Sequence, residues 1–199
     1  MKRLLVACEF SGVVREAFRA RGWDAWSCDL LPAADGSAHH LQCDVLKALG
    51  RGWDMMIAHP PCTYLCASGL HWNKRGRGNA LTEEALTFVQ DLIWAPIHRI
   101  CIENPVGAIG SRIRPADQYI QPHQFGEDAS KRTGLWLTNL PLLVPTHHIP
   151  GQLVDGKRRW ANQTDSGQNK IGPSPDRWAE RSVTYAGIAK AMAEQWGDL

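Results

Sequence analysis

The chain has 199 residues, of which 44% are hydrophobic, and this length is enough for one substantial core, so we expect a single domain over residues 1–199. It has no run of eighteen apolar residues and no leader of the secretory type, which excludes a membrane-spanning or secreted class and predicts a cytoplasmic protein. The net charge of +2 is too small to indicate a nucleic-acid partner, and the six irregularly spaced cysteines do not resemble a disulfide framework.

The first third of the chain alternates strand and helix signals, which favours a mostly parallel α/β sheet. An apolar run, Leu4–Cys8, predicts a strand covered on both faces, and the turn Phe10-Ser11-Gly12 leads from it into a helix over Val13–Arg21. A second strand over Asp24–Asp29 ends in a carboxylate, at the place where nucleoside-binding folds hold a ribose. A third strand, predicted over Leu41–Val45, carries Asp44 near its end, and a short helix over Val45–Leu49 follows.

The most informative stretch of the sequence is the corner that follows the apolar run Trp53–Ala58. In His59-Pro60-Pro61-Cys62, two prolines fix the backbone and present a thiol beyond the carboxyl end of a strand, where open α/β sheets carry out their chemistry. Cys66, His59 and His71 raise the possibility of zinc, but their spacing fits no structural zinc pattern, and we expect no metal.

A second carboxylate follows the next predicted strand. Thr82 is predicted to cap a helix that stops before Pro96, and the strand Arg99–Ile102 then leads into Glu103-Asn104. Because the carboxyl ends of parallel strands share one edge, we expect Cys62 and Glu103 to face each other across a cleft. Glu103 is either a capped turn residue or a carboxyl with a raised pKa that exchanges a proton with a heterocycle.

The last third of the chain has fewer signals. A strand is predicted over Lys131–Thr138, loop over Pro141–Pro175, and a helix over Thr184–Trp196. Two basic clusters are either solvated loops or contacts to nucleic-acid phosphates, namely Lys74, Arg75 and Arg77, and Lys157, Arg158 and Arg159.

Taken in order, these motifs resemble those of the cytosine-C5 DNA methyltransferases. The resemblance rests on Phe10-Ser11-Gly12, Asp29, Asp44, Pro60-Pro61-Cys62, Glu103-Asn104, Lys131-Arg132 and Tyr185-Ala186-Gly187. It implies a Rossmann-like, S-adenosylmethionine-dependent methyltransferase fold, catalysis by Cys62, Glu103 and Arg132, and a DNA partner. It also implies that the cofactor is bound by Phe10, Ser11, Gly12, Asp29, Asp44, Pro60, Tyr185 and Gly187, and the substrate by Pro61, Asn104, Ser68 and Lys131.

The chain also departs from the family pattern, at Val14, Thr63, Pro105 and Ile188-Ala189. In place of a target-recognition domain it has only a loop-rich segment, residues 141–181, which is too short for an independent module. Two enzyme hypotheses follow: a compact, phage-like DNA cytosine methyltransferase, and a C5-modifying enzyme that acts on a free pyrimidine nucleotide. A third hypothesis is a non-catalytic DNA-binding homologue, and amino-methyltransferases, which usually carry an aromatic residue after the Pro-Pro corner, rank lower.

Overall fold

The computed structural model describes residues 1–172 and 181–199, with Lys74 described by its backbone only. Its centre is a seven-stranded sheet of order β3-β2-β1-β4-β5-β7-β6, in which β7 runs antiparallel to both of its neighbours and the first five strands are parallel. The strands are β1 Arg3–Ala7, β2 Asp24–Asp29, β3 His40–Gln42, β4 Met55–Ala58, β5 Arg99–Pro105, β6 Gln118–Ile120 and β7 Thr133–Thr138.

Helices cover both faces of this sheet, which explains why β1 and β4 are continuous apolar runs. On one face α1 and α5 pack together, with Phe18, Met192 and Trp196 in the core, and on the other face α3 buries Leu86 and Leu92. The helices are α1 Val13–Arg19, α2 Ala67–Leu70, α3 Ala80–Ile93, α4 Ala108–Arg112 and α5 Ala186–Trp196, and short 3-10 turns lie at Val45–Lys47, Asn73–Arg75 and Pro122–Gln124.

The strand order reverses between β1 and β4, because β1 continues to β2 on one side and pairs with β4 on the other. Ligands of open α/β sheets bind beyond the carboxyl ends of the strands at such a switch point. The loops that follow β1 and β4 are the Phe10–Gly12 turn and the Cys62 corner, so both predicted site motifs lie at this edge. The expectation of a Rossmann-like, mostly parallel α/β fold is confirmed.

Several predicted element boundaries were wrong. Helix α3 begins at Ala80 with Asn79 at its cap, and the Thr82 hydroxyl donates instead to the Tyr64 carbonyl at 3.0 Å, because a hydroxyl in the first turn can reach a neighbouring loop. Strand β3 ends before Asp44, and the helix predicted after it is a single 3-10 turn that Asp44 caps. Strand β7 begins two residues after Lys131.

The segment predicted as loop contains a two-stranded hairpin, formed by β8 Gln152–Val154 and β9 Lys157–Arg159. Its short strands are exposed and carry mixed polar and apolar residues, so they have no alternation that would reveal them. Residues 173–180 of the predicted loop-rich segment lie outside the described residues. Within the described ranges, no helix has the length and apolarity needed to cross a membrane.

Candidate functional site

A large cleft opens at the carboxyl ends of β1, β2 and β3. Its volume is about 340 Å³, which is within the range of small-molecule sites. The wall is mostly apolar, with carboxylates among its lining residues. The lining consists of Cys8, Cys28, Asp29, Leu30, Cys43, Asp44, Val45, Pro61, Tyr64, Leu65, Leu81, Glu84, Ala85 and Phe88.

Both predicted acidic residues lie in this cleft. Asp29 ends β2, and its Oδ1 accepts the backbone N–H of Leu31 at 3.0 Å, which holds the following residue, Leu30, in a turn. Asp44 accepts the N–H of Leu46 at 3.0 Å and so caps the 3-10 turn below the cleft. Each carboxylate keeps a second oxygen for a ligand, while its position is fixed by the backbone.

The Phe10-Ser11-Gly12 turn is built on Glu9, a residue that the sequence prediction did not select. Glu9 is 4% exposed, and its carboxylate accepts the backbone N–H groups of Val14 at 2.8 Å and Arg15 at 3.3 Å at the start of α1. Beyond the turn, Arg15 is fully buried, donates to Ser27 at 2.6 Å and is ion-paired with Asp35. These contacts fix the turn from both sides.

A second, small cavity of about 10 Å³ lies beside this turn. It is bounded by Cys8, Glu9, Phe10, Ser11, His59, Ser182 and Thr184. Because Cys8 lines both spaces, the small cavity and the large cleft are neighbours along the carboxyl edge of the sheet. The two spaces together extend from the end of β2 to the end of β4.

The Cys62 corner is held by contacts from the loop after β5. Asn104 is 1% exposed and donates from Nδ2 to the Pro60 carbonyl at 2.7 Å. Further along, Ala108 donates to the Leu65 carbonyl at 2.7 Å. The two loops are so close at Gly107 that a side-chain methyl there would overlap the Leu65 carbonyl. Only glycine permits this approach, which joins the thiol-bearing turn to the Glu103 strand.

Cys62 shares a hydrogen bond with Cys66, which follows it by one turn. This bond lowers the pKa of Cys66 to about 5, and donation from Ser68 and from the Gly69 backbone N–H also favours the Cys66 thiolate against the opposing effect of burial. The same bond, together with burial, raises the pKa of Cys62. Two cations favour the ionised forms, Lys131 near Cys62 and Arg181 near Cys66. The pair therefore carries one thiolate between two sulfurs.

Glu103 lies on β5 next to His59, because β4 and β5 pair in parallel with Ala58 opposite Ile102. Its Oε2 lies 3.1 Å from His59 Nδ1, and the two side chains are 15% and 7% exposed. Burial alone would raise the pKa of Glu103, but the hydrogen bonds from His59 and Thr133 and the charge of Lys131 hold that pKa below its usual value. The predicted raised pKa was therefore wrong, since these donors outweigh desolvation.

Lys131 and Arg132, predicted together, point to different surroundings. Lys131 lies close enough to Cys62 and Glu103 to affect the pKa of both, and its Nζ donates to the Arg181 carbonyl at 3.0 Å. The Arg132 guanidinium instead lies over the Tyr119 ring, 4.3 Å from its centroid. A role of Arg132 in catalysis stays a prediction, and the cation that the structure brings to Glu103 is Lys131.

The surroundings of five other predicted site residues are as follows. Tyr185 lies at the start of α5, where burial raises its pKa. Gly187 packs directly on the Phe125 carbonyl and donates its backbone N–H to Glu127 at 2.9 Å. Ser68 is exposed and lies 3.2 Å from the Cys66 sulfur. Pro60 is buried under the corner, whereas Pro61 is exposed and lines the large cleft.

The basic clusters are only partly available to a partner. Arg77 bonds to Asn73 and to the Gly69 carbonyl and lies over Tyr64, so it holds its own loop together. Arg75 lies over the exposed ring of Trp72, and the Lys74 side chain is outside the described residues. In the hairpin, Lys157 and Arg158 are exposed, while Arg159 donates to the Asp165 carbonyl at 2.7 Å.

Sequence reasoning missed the roles of Glu9 and His59. Glu9 lies directly after a strand, as Asp29 does, and applying the same strand-end rule to β1 would have found it. His59 was considered only as a zinc ligand, and among the described residues no group of three or more metal-ligating side chains is assembled. Its partner became visible only through the register of β4 against β5.

Comparisons with known proteins were informative at the level of structure only. No family model and no curated protein matches the chain. The chain is similar to the crystal structure of a candidate DNA modification methyltransferase encoded within an E. coli prophage, with 14% identity and a TM-score of 0.51. The match covers 78% of this chain and 54% of the other, so this chain spans about half the length of that structure. At this identity the likeness concerns the fold, and the chain has the Rossmann-like α/β fold of that protein.

Proposed function

We propose that this protein is an S-adenosylmethionine-dependent DNA methyltransferase that methylates C5 of cytosine through a covalent bond between the Cys62 sulfur and C6 of the base. The proposal rests on the juxtaposition of Cys62, on the corner after β4, with Glu103, near the carboxyl end of the neighbouring strand β5; Asn104 and Gly107 hold the two segments together. A thiolate beside a carboxyl group that can bind a ring edge is the pair needed to activate an electron-poor pyrimidine.

The large cleft fits the proposed cofactor. Its apolar residues, such as Leu30, Val45 and Phe88, suit the faces of an adenine ring, and Asp29 is positioned to accept hydrogen bonds from ribose hydroxyls. The neighbouring turn Phe10–Gly12 would hold the amino-acid part. When bound, the cofactor would supply an electrophilic methyl group, and the residues of the chain would bind and activate the base.

The chain's own residues account for the steps at the base. The sulfur of Cys62 forms a bond to C6 as the C5–C6 π bond opens and its electrons move into the ring. C5 would then take the methyl group that the bound cofactor would supply, with the thioether of the cofactor as the leaving group. Loss of the C5 proton to solvent and cleavage of the S–C6 bond restore the aromatic ring and the thiolate. Glu103 binds N3 and the exocyclic amine during these steps, and Lys131 favours the negative charge on Cys62.

Exposed basic and aromatic side chains near the site favour DNA as the substrate. Arg75 and Trp72 lie in the loop after Cys62, and Lys157 and Arg158 lie in the hairpin, which gives cations for phosphates and a ring for stacking. A base in a duplex must be flipped out to reach Cys62. The similar prophage structure is named as a DNA modification enzyme, which agrees with this choice.

The alternatives are an enzyme acting on a free pyrimidine nucleotide and a non-catalytic DNA-binding homologue. We expect methyl-labelled S-adenosylmethionine to transfer its label to duplex DNA, with the label recovered as 5-methylcytosine after digestion to nucleosides. Label in dCMP and none in DNA would favour the nucleotide enzyme. DNA binding without label transfer, unchanged in Cys62→Ala, would favour the non-catalytic homologue. Label in N4-methylcytosine or N6-methyladenine would refute C5 chemistry.

A further inference from the structure

Glu103 has a buried partner that the proposed reaction does not require. His59 Nδ1 lies 3.1 Å from Glu103 Oε2, and the His59 side chain is only 7% exposed. The His59 backbone N–H donates to the Ala7 carbonyl at 2.9 Å, which continues the β1–β4 ladder by one residue. The sheet therefore fixes the position of His59, and His59 fixes that of one carboxylate oxygen.

His59 also lines the small cavity beside the Phe10-Ser11 turn. His59 Nε2 is buried and has no hydrogen-bond partner among residues 1–172 and 181–199. The cavity volume of about 10 Å³ corresponds to about one water molecule, and Ser11 and Thr184 are among the residues that border it. Because Nε2 has no partner among the described residues to which it could donate, the tautomer that the contacts favour has its proton on Nδ1, from which His59 donates to Glu103.

We propose that His59 is a positioning residue that keeps Glu103 ionised, so that the proton shared between Glu103 and the bound cytosine lies on N3 of the base. This inference rests on the proposed function and names the residue that makes the ring electrophilic. A hydrogen bond from His59 weakens the carboxylate as a base, so N3 competes better for the shared proton. A protonated N3 draws electrons from C6, where the Cys62 sulfur adds.

The number of protons is conserved when N3 is protonated and the thiolate adds. One proton enters from solvent when the base binds and lies on N3 next to the Glu103 carboxylate. Addition of the thiolate to C6 then gives a neutral ring, and the proton leaves N3 for solvent after the S–C6 bond breaks. His59 keeps its own proton throughout. The charged or titratable groups that face Glu103 are His59 after β4, Lys131 before β7, Cys62 on the corner and Cys101 on β5 itself.

Two readouts test the role of His59. In protein with ¹³C-labelled glutamate carboxyls, assigned with Glu103→Gln, we expect His59→Ala to raise the pKa of Glu103 by about one pH unit or more, because one hydrogen bond to the charged form is lost. His59→Asn keeps a donor near the Nδ1 position and should largely restore the wild-type titration. His98→Ala, an exposed histidine just before the opposite end of β5, is the matched control and should change nothing.

In single-turnover methylation of duplex DNA, His59→Ala should be slower by about 10- to 100-fold, the effect of removing a hydrogen bond to a charged group, and His59→Asn should be closer to wild type. Combined with Glu103→Gln, His59→Ala should add little, because it acts through Glu103. An unchanged Glu103 titration in His59→Ala, or fully additive rate losses in the double variant, would overturn the inference. Wild-type protein that does not methylate DNA would instead refute the proposed function, whatever the titration shows.

Discussion

The two sulfurs at the site differ in charge because of their immediate neighbours. Both side chains are half-buried, but Cys66 receives hydrogen bonds from Cys62, Ser68 and the Gly69 backbone, whereas Cys62 donates to Cys66 and lies near the negative charge of Glu103. A thiolate is the nucleophilic form of cysteine, so in the proposed reaction the proton shared by the two sulfurs would have to lie on Cys66 when Cys62 attacks. Cys66, one turn from Cys62, would then be the residue that takes this proton.

This arrangement predicts that Cys66 reacts as a thiolate already at pH 6. The pKa of Cys66 is lowered to about 5, so its thiolate is fully formed above about pH 6, and alkylation of Cys66 by iodoacetamide should be nearly constant between pH 6 and 8. The alkylation rate of an ordinary thiol would rise roughly a hundredfold between pH 6 and pH 8, because its thiolate fraction rises by that factor. Peptide mapping by mass spectrometry measures the rate at each cysteine separately.

The matched variants are Cys62→Ala and Cys43→Ala. Cys62→Ala removes the main donor to Cys66, so its alkylation should become strongly pH-dependent, while Cys43→Ala, which removes a half-buried cysteine of the large cleft, should leave it unchanged. A wild-type rate at Cys66 that climbs with pH like that of an ordinary thiol would show that the two sulfurs do not share a proton in this way.

Individual residues were predictable where chain neighbours define them. Cys62 was found because two prolines precede it beyond a strand, and Glu103 because it follows the buried run Arg99–Ile102, although β5 extends to Pro105 and includes Glu103. The contact between His59 and Glu103 depends on the register of two strands 44 residues apart, which the sequence does not reveal. The ionised state of Glu103 also depends on Thr133, the first residue of β7, and on Lys131, which lies two residues before that strand.

At the scale of elements, the site depends on how closely two loops approach. The turn after β4 and the turn after β5 are joined by backbone hydrogen bonds on both sides of Gly107, with Ala67 donating to Val106 at 3.0 Å and Ala108 donating to Leu65 at 2.7 Å. The two glycines near this junction have different surroundings. A methyl at Gly107 meets backbone, whereas one at Gly110 in α4 has only the Tyr119 hydroxyl at 3.7 Å.

Gly107→Ala should therefore separate the loops and move Cys62 away from Glu103. We expect a loss of about 1–3 kcal/mol in the free energy of unfolding, as for other overpacked sites, and a methylation rate at least about tenfold lower. Urea denaturation and single-turnover methylation measure the two effects. Gly110→Ala is the control and should be neutral or slightly stabilising, since alanine favours a helix. If Gly107→Ala and Gly110→Ala had the same stability and the same methylation rate, the close approach of the two loops at Gly107 would not be what holds Cys62 near Glu103.

Elements were predictable in proportion to how regularly they are buried. β1, β4 and α3 have continuous or periodic apolar residues, and their existence was predicted correctly from that pattern. β6 and the β8–β9 hairpin have three residues per strand, which is too few for any period to show. The start of α3 was misplaced because Thr82 resembles a cap, although its hydroxyl bonds to the Tyr64 loop.

For the whole molecule, the order of the strands determines what the site can do. The reversal between β1 and β4 places the large cleft beside the Cys62–Glu103 pair, so that a methyl donor in the cleft and a base at Cys62 would meet at one edge of the sheet. Alternation of strand and helix predicted this class of fold, and the antiparallel β7 pairs with β5 so that Leu135 lies opposite Glu103. The segment between β7 and α5 supplies the basic hairpin of β8 and β9.

The central claim, that Cys62 bonds covalently to a cytosine in DNA, is tested most directly with duplex DNA that contains 5-fluorocytosine. Fluorine at C5 cannot leave as a proton does, so the S–C6 bond persists after methyl transfer. With S-adenosylmethionine present, we predict a denaturant-resistant protein–DNA complex in which mass spectrometry locates the base on Cys62. The complex should be lost in Cys62→Ser and should still form, though more slowly, in Cys66→Ser. No complex with the wild-type protein, or a complex that persists in Cys62→Ser and maps to Cys66, would contradict the account.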